Sequence, residues 1–223
     1  MVIMQGTRAH LKRTERKGAA TREALMSVAT DLFADQGFDG TSVEQITAGA
    51  GVNKAMISYH FGGKRRLYNE ILSATFSEAH RRFHAIRESD APADKRLRDF
   101  IQTFADLATL SPALPTMVLR EALSGGLHID AKLLPQFLEI FRLVQEIIDQ
   151  GIEEGTFSAV NPYLTHVSLL GSLVFFFALK PIRSRLADGK LPTSASEVRE
   201  FVRHLQTIMA HGLAPADPTP ELI

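Results

Sequence analysis

The chain has 223 residues, of which 45% are hydrophobic and none is cysteine, so it can bury a large core but cannot form a disulfide or a thiolate metal site. Its formal net charge is zero, yet residues 1–70 hold 10 Lys or Arg against 7 Asp or Glu, whereas the remainder holds 15 against 18. Because the basic excess is concentrated at the front, the neutral average does not exclude a nucleic-acid partner.

The first 19 residues are predicted to form a basic, disordered arm. They lack the apolar segment of a secretory signal, so we expect a cytoplasmic protein. A disordered arm can still contact phosphates. The rest of the chain is predicted to divide into a DNA-binding domain (20–66), a helical ligand-binding and dimerisation domain (67–213) and a disordered tail (214–223). The cationic residues of the arm are Arg8, Lys12, Arg13, Arg16 and Lys17.

A first helix is predicted from about Ala20 to Gln36. Its apolar residues repeat at the spacing of a single buried stripe, and Gly37 supplies a residue suited to a helix end. We expect Phe38 and Phe61 to be core residues that hold the next two helices in place. The stripe consists of Leu25, Val28, Ala29, Leu32 and Phe33.

The segment from Thr41 to Lys64 predicts a helix-turn-helix. Thr41 and Glu44 have the spacing of a capping box, which places a helix start near Ser42. Gly51 can adopt the left-handed conformation of a turn, and Asn53 is a good N-cap for a second short helix over residues 54–60. Two short helices joined by a tight turn form a unit whose second helix reads base edges in the major groove.

These residues resemble the DNA-binding domain of the TetR family of transcriptional repressors. The resemblance covers roughly residues 20–70, and Ser58 stands where many members have a tyrosine. It implies base-facing positions at Asn53, Lys54, Ala55, Met56 and Ser58, and phosphate contacts at Thr41, Ser42, Tyr59, His60 and Lys64. The matching positions are Gly37-Phe38, Thr41-Ser42-Val43, Ile46, Ala50-Gly51-Val52, Tyr59-His60-Phe61, Lys64 and Leu67.

The remaining chain predicts only helices, because no strand-like alternation or repeat occurs in it. The penultimate helix is nearly all apolar, but its run of about 17 residues contains polar side chains and is too short for a membrane span. We therefore expect an all-α protein with no membrane partner. The predicted helices are Lys64–Glu88, Asp94–Thr109, Leu114–Leu123, Ala131–Glu154, Tyr163–Leu179 and Glu197–His211.

The family resemblance implies a homodimer formed through Tyr163 to Leu179 and Glu197 to His211. It also implies a cavity between the middle helices that takes a small apolar or amphipathic inducer. Candidates to orient a ligand are Arg120, Glu121, His128, Gln145 and His166. The candidate lining residues are Phe76, Phe83, Phe100, Phe104, Met117, Phe137, Phe141 and Phe175.

The sequence therefore predicts a ligand-released, DNA-binding repressor that needs no cofactor. One alternative is an architectural or interaction protein that binds DNA without responding to a ligand. An enzyme is not expected, because the chain has no nucleophile elbow, zinc-protease motif or phosphate-binding glycine loop. His80 and His84 share a helical face, but neighbouring arginines disfavour a metal there.

Overall fold

The computed structural model describes residues 3–186 and 195–215, and this part of the chain contains helices and no β-strand. The all-α prediction is therefore confirmed. The helices are α1 (Ile3–Gly40), α2 (Val43–Gly49), α3 (Ala55–Phe61), α4 (Lys64–Arg87), α5 (Ala93–Leu110), α6 (Ala113–Leu123), α7 (Leu134–Glu153), α8 (Pro162–Ala178), α9 (Lys180–Leu186) and α10 (Ala195–Leu213).

Helix α1 begins at Ile3, well before the predicted start at Ala20. Most of the expected disordered arm is thus helical in the structure. The physical reason is composition: residues 3–19 contain no proline and include three Arg, two Lys and two Ala, which favour helices. The predicted end is close to the observed one, because Gly37 has a φ of 77° and interrupts the regular helix.

The capping box at the start of α2 is formed by Ser42 and Gln45, one residue later than predicted. The Gln45 amide donates to Ser42 Oγ at 3.1 Å, and the Ser42 amide donates to Gln45 Oε1 at 2.7 Å. Thr41 is not the cap, because its hydroxyl donates to the carbonyl oxygen of Gly37 instead. The positions of α2 and α3 otherwise follow the sequence signals.

Helices α1, α2 and α3 share one hydrophobic core with the first half of α4. Leu25 and Phe33 from α1, Ile46 from α2 and Ile57 from α3 are almost completely buried. This core also receives Met117 from α6, which is 1% exposed. The N-terminal unit is therefore not closed at residue 66, because a helix of the following bundle completes it.

A second core joins the later half of α4 to α5, α7, α8 and α10. Phe83, Phe100, Ile147, Leu169 and Leu205 are among its buried members. Helix α4 contributes to both cores as one continuous helix. It therefore links the N-terminal unit mechanically to the bundle.

The short helix α9 was not predicted. It follows α8 directly, and its Arg183 Nε donates to Glu197 Oε1 of α10 at 3.0 Å. Residues 216–223 of the predicted tail lie outside the described residues. No helix among the described residues is long and apolar enough to cross a membrane.

Candidate functional site

Helix α3 presents one face to the core and the other to solvent. Ile57 and Phe61 are buried, whereas Ala55 and Ser58 are exposed and Tyr59 is 78% exposed. The N-cap of this helix is Lys54, one residue later than the predicted Asn53, but the Asn53 side chain still accepts from the Ala55 amide at 2.9 Å. The exposed face is short and uninterrupted, as a helix that enters a DNA groove requires.

Lys54 lies at the start of this face and forms an ion pair with Glu44 of α2. The Lys54 ammonium holds the pKa of Glu44 below its usual value, chiefly through the hydrogen bond between them. Both side chains are exposed, so the pair contributes little to stability. Lys54 can therefore exchange this partner for a DNA acceptor.

Thr41 does not face solvent, which corrects the expectation that it contacts phosphate. Its side chain is 1% exposed, and its hydroxyl donates to the carbonyl oxygen of Gly37 at 2.8 Å. The hydroxyl is thus used to hold the turn between α1 and α2. Ser42 keeps a half-buried hydroxyl that is already the cap of α2.

Lys64 is also committed within the fold. Its Nζ donates to the carbonyl oxygens of Phe38 and Thr41, both at 2.8 Å, and lies 4.2 Å from the centre of the Phe38 ring. These bonds use two of the three N–H donors of the ammonium, so the predicted phosphate contact would have only the third. The ammonium ties the first turn of α4 to the turn between α1 and α2.

Two further predicted positions are half-buried. Met56 packs against the N-terminal core, so its contribution to base contacts is smaller than expected. His60 lies beside Tyr59, with the two ring centres 4.9 Å apart. The predicted positions that are exposed are consequently Asn53, Lys54, Ala55, Ser58 and Tyr59.

We call α3 the reader helix, and α1 to α3 the reader domain. On the core side of the reader, a buried polar cluster joins α4 to α6 and the loop that follows α6. We call Tyr68, Asn69, Glu121 and His128 the junction cluster; their exposed fractions lie between 2% and 9%. Tyr68 Oη donates to Glu121 Oε1 at 2.8 Å, and His128 Nδ1 lies 3.0 Å from the same oxygen. Burial, followed by the Glu121 carboxyl, raises the pKa of Tyr68. Such a buried network is stable only while its partners stay in place.

The junction cluster also reaches the end of α1. His128 stacks on Phe38 with ring centres 4.4 Å apart, and its Nε2 lies 3.3 Å from Asp39 Oδ2. Asn69 Nδ2 donates to the His128 carbonyl oxygen at 2.9 Å. The loop after α6 is thereby held by both α1 and α4.

Arg120 of α6 makes a separate contact with the same end of α1. Its Nε donates to the Ala34 carbonyl oxygen at 3.1 Å, and its Nη2 donates to that of Asp35 at 2.5 Å. Carbonyl groups at a helix C-terminus carry partial negative charge, which favours a guanidinium there. The sequence predicted that Arg120, Glu121 and His128 orient a ligand. They instead connect α6 and the loop after it to α1 and α4.

An inner cavity of about 80 Å³ lies between α4, α5, α6, α7 and α8. Every side chain that lines it is apolar, so a molecule within it makes no side-chain hydrogen bond. An apolar lining of this kind is typical of small-molecule sites between bundle helices. The lining consists of Phe76, Ala79, Phe83, Phe104, Leu107, Ala108, Leu114, Pro115, Val118, Ile140, Leu170 and Val174.

The predicted pocket residues divide between this cavity and other places. Phe76, Phe83 and Phe104 line it. Phe100 and Met117 are core residues that are 0% and 1% exposed. Phe141 and Phe175 do not line it: Phe141 contacts His166 and Tyr163, and Phe175 is 57% exposed. The prediction for Phe137 concerns a side chain that lies outside the described part of the structure.

The small residues that create the inner cavity were not predicted from the sequence. Ala79 and Ala108 face the void, where a larger side chain on either helix would fill it. Their position on apolar stripes was the available signal, but many core alanines share it. The cavity therefore could not be located from the list of phenylalanines.

Helices α8 and α10 carry exposed apolar side chains. Tyr163, Leu164, Val167 and Phe175 of α8 are between 50% and 59% exposed, and Ile208 of α10 is 50% exposed. An apolar surface of this kind marks a site of protein association. It falls on the two segments predicted to form a dimer.

Known proteins resemble both the sequence and the fold. The profile of bacterial regulatory proteins of the tetR family matches residues 25–71. The HTH-type transcriptional repressor NicS of Pseudomonas putida is 28% identical over 160 residues, which cover 70% of this chain and 75% of NicS.

Two solved structures share the fold over most of their length. The ketosteroid transcriptional regulator KstR2 of Mycobacterium tuberculosis has a TM-score of 0.73 at 19% identity, over 87% of this chain and 95% of KstR2. AibR, solved with isovaleryl coenzyme A and operator DNA, has a TM-score of 0.68 at 18% identity, over 88% of this chain and all (100%) of AibR. Together with the exposed reader helix and the helical bundle behind it, these matches show a DNA-binding domain of the tetR family at residues 25–71 and a likeness to known HTH-type transcriptional regulators over most of the chain.

Proposed function

We propose that the protein is a homodimeric, sequence-specific repressor that leaves its operator when a small ligand enters the inner cavity. The observation that carries the proposal is that α4 and α6 line the cavity and also hold the reader domain. Since a bacterial repressor acts on the chromosome, its place of action would be the cytoplasm.

Helix α3 would lie in the major groove. Lys54, Ala55 and Ser58 would face base edges, with Asn53 at the entrance to the helix. Tyr59 would reach a phosphate with its hydroxyl, supported by His60. Thr41 and Lys64 act indirectly in this scheme, because they fix the angle at which α3 leaves the core.

One reader helix buries too little surface to select a site in a genome, so two are needed. A dimer formed through α8 and α10 would cover their exposed apolar residues. Two symmetric readers would then contact half-sites about 34–36 Å apart, which corresponds to one helical turn of DNA. The operator should accordingly be a pseudo-palindrome.

The structure offers two routes from the cavity to the reader. Along α4, Phe83 and Phe76 lie on the cavity, and Tyr68 and Lys64 lie further towards the reader. Along α6, Val118 lines the cavity, and the next turn carries the junction-cluster contact with α4. A ligand that moves either helix would shift both reader domains relative to each other.

Such a ligand acts only if it binds the DNA-free arrangement more tightly than the DNA-bound one. A difference of about 100-fold, or 2.7 kcal/mol, would suffice for a clear response. Relatives support this type of control: NicS is named a transcriptional repressor, and AibR was solved with both a ligand and operator DNA.

Selection of DNA fragments from a random pool by the purified full-length protein tests the proposal. We expect enriched sites with two inverted half-sites and binding of two chains per site. The Tyr59→Ala variant should enrich sites poorly, while Lys95→Ala, an exposed change on α5, should enrich them normally. Enriched sites without two-fold symmetry, or no enrichment at all, would refute the proposal.

A further inference from the structure

A second, outer hollow of about 20 Å³ lies next to the inner cavity and has room for one small polar group. The two spaces share Phe76, Phe83 and Ile140 as lining residues, so these three side chains form the wall between them. The outer hollow differs from the inner one because its other lining residues are mostly polar. These are His80, His84, Arg87, Gln136, Glu139 and Leu143.

Gln136 presents a buried atom without a partner. Its side-chain Oε1 has no hydrogen-bond donor in the described structure. A buried acceptor without a donor is costly, and native proteins rarely keep one unless water or a ligand completes it. The outer hollow therefore contains a vacant acceptor on α7, beside the wall of the inner cavity.

Two of the basic side chains that line the hollow already lie against glutamates. His80 Nδ1 lies 2.6 Å from Glu139 Oε2, although this oxygen, like Gln136 Oε1, has no hydrogen-bond donor in the described structure. Arg87 donates from Nε to Glu146 Oε2 at 3.0 Å and from Nη2 to the Glu139 carbonyl oxygen at 3.2 Å. His84 is exposed to solvent, which screens its interactions. A negatively charged head group would meet the Glu139 carboxyl and no uncommitted Arg or Lys.

We infer that the ligand is an uncharged amphipathic molecule whose hydrocarbon part fills the inner cavity and whose hydroxyl group donates a hydrogen bond to Gln136 Oε1. The inference rests on the proposed function, because it names the class of ligand for the same cavity. Such a ligand differs from a purely apolar molecule because it carries one hydrogen-bond donor, the hydroxyl group. It differs from a carboxylic acid because it carries no charge at neutral pH.

The position of the hydroxyl site also explains how ligand entry would move α4. A molecule that extends from the hydroxyl site to the inner cavity must displace the wall between them. Two of the three wall residues, Phe76 and Phe83, belong to α4. Their displacement would act on the helix that carries Tyr68 and Lys64 at its other end.

Three probes of equal chain length separate the possibilities: decanol, decyl methyl ether and decanoate. Their binding to the full-length protein would be measured by isothermal titration calorimetry at neutral pH. We expect decanol to bind about tenfold more tightly than the ether, because only decanol can donate to the vacant acceptor. Decanoate should bind more weakly than decanol by a similar factor or more.

The variant Gln136→Leu should abolish the preference for decanol over the ether while keeping the ether's affinity. Gln102→Leu, a matched change on the exposed face of α5, should keep the preference. Equal binding of decanoate and decanol, an unchanged preference in Gln136→Leu, or no binding of any probe would overturn the inference. Decanol binding with the expected preference but without release of operator DNA would instead refute the proposed function and leave the ligand class standing.

Discussion

Replacing Lys64 with methionine tests whether this residue is an internal clamp or a phosphate contact. Methionine keeps a similar length and removes the charge. The lost interactions are two charge-assisted hydrogen bonds, to Phe38 O and Thr41 O, and one contact with the Phe38 ring. Such hydrogen bonds contribute about 1.5–3 kcal/mol each and the ring contact about 0.5–1 kcal/mol.

Several effects reduce this sum. Lys64 is only half-buried, and a positive charge in the first turn of α4 opposes the helix dipole. Phe38 O also keeps the Thr41 amide as a donor at 3.3 Å. We therefore expect Lys64→Met to lower the free energy of unfolding by about 2–4 kcal/mol. The control Lys95→Met removes only an exposed pair with Asp99 and should cost less than about 0.5 kcal/mol.

Urea denaturation gives the change in stability, and operator binding measured against salt concentration separates the two roles. A clamp predicts weaker binding with an unchanged salt dependence. A lost phosphate contact predicts a logarithmic slope that is smaller by about 0.9. Stability within about 0.5 kcal/mol of wild type together with the smaller slope would refute the clamp.

Three further changes have defined outcomes. Tyr68→Phe removes the hydroxyl that donates to Glu121 and should lower the free energy of unfolding by about 1–2 kcal/mol. It should also weaken ligand-induced release of DNA. Unchanged release would argue against the junction cluster as the connection between the cavity and the reader. Burial lowers the pKa of His166 from 6.5 to about 4. Between these two values the unfolded chain binds more protons than the folded one, so the free energy of unfolding falls as the pH is lowered below 6.5. The loss is about 1.4 kcal/mol per pH unit. His166→Leu should therefore be less destabilised than wild type between pH 7.5 and 5.5, and parallel denaturation curves would contradict this. Tyr59→Ala should leave stability within about 0.5 kcal/mol, because the side chain is 78% exposed, but weaken operator binding in fluorescence anisotropy.

The helical order and the reader were predictable because their signals are local. Caps, glycines and apolar spacing determine α2, α3 and the start of α4 within a few residues. The same local signals placed the capping box one residue early, since Thr41 and Ser42 are both capable caps. Only the three-dimensional contact of the Thr41 hydroxyl with the carbonyl oxygen of Gly37 decides between them.

The roles of Lys64 and Glu121 could not be predicted because their partners are distant in sequence. Lys64 binds carbonyl groups 26 and 23 residues away, and Glu121 accepts from a tyrosine 53 residues away. A lysine beside a reader helix carries the same sequence signal whether it faces DNA or the core. The cavity likewise depends on where Ala79 and Ala108 meet, which helical periodicity alone does not determine.

The most direct test of the account fills the inner cavity and measures release from operator DNA. Ala108→Leu adds bulk to the part of the cavity lining that α5 supplies, away from the reader, while Ala85→Leu adds the same bulk at an exposed position of α4. Operator affinity would be measured by anisotropy with increasing concentrations of uncharged hydrophobic probes, decanol among them. Without a probe, all three proteins should bind operator DNA with equal affinity. The probe should release wild type and Ala85→Leu from the DNA but should not release Ala108→Leu. Release of Ala108→Leu at the same probe concentration as wild type, or retention of DNA by wild type when calorimetry shows the probe bound, would contradict the account.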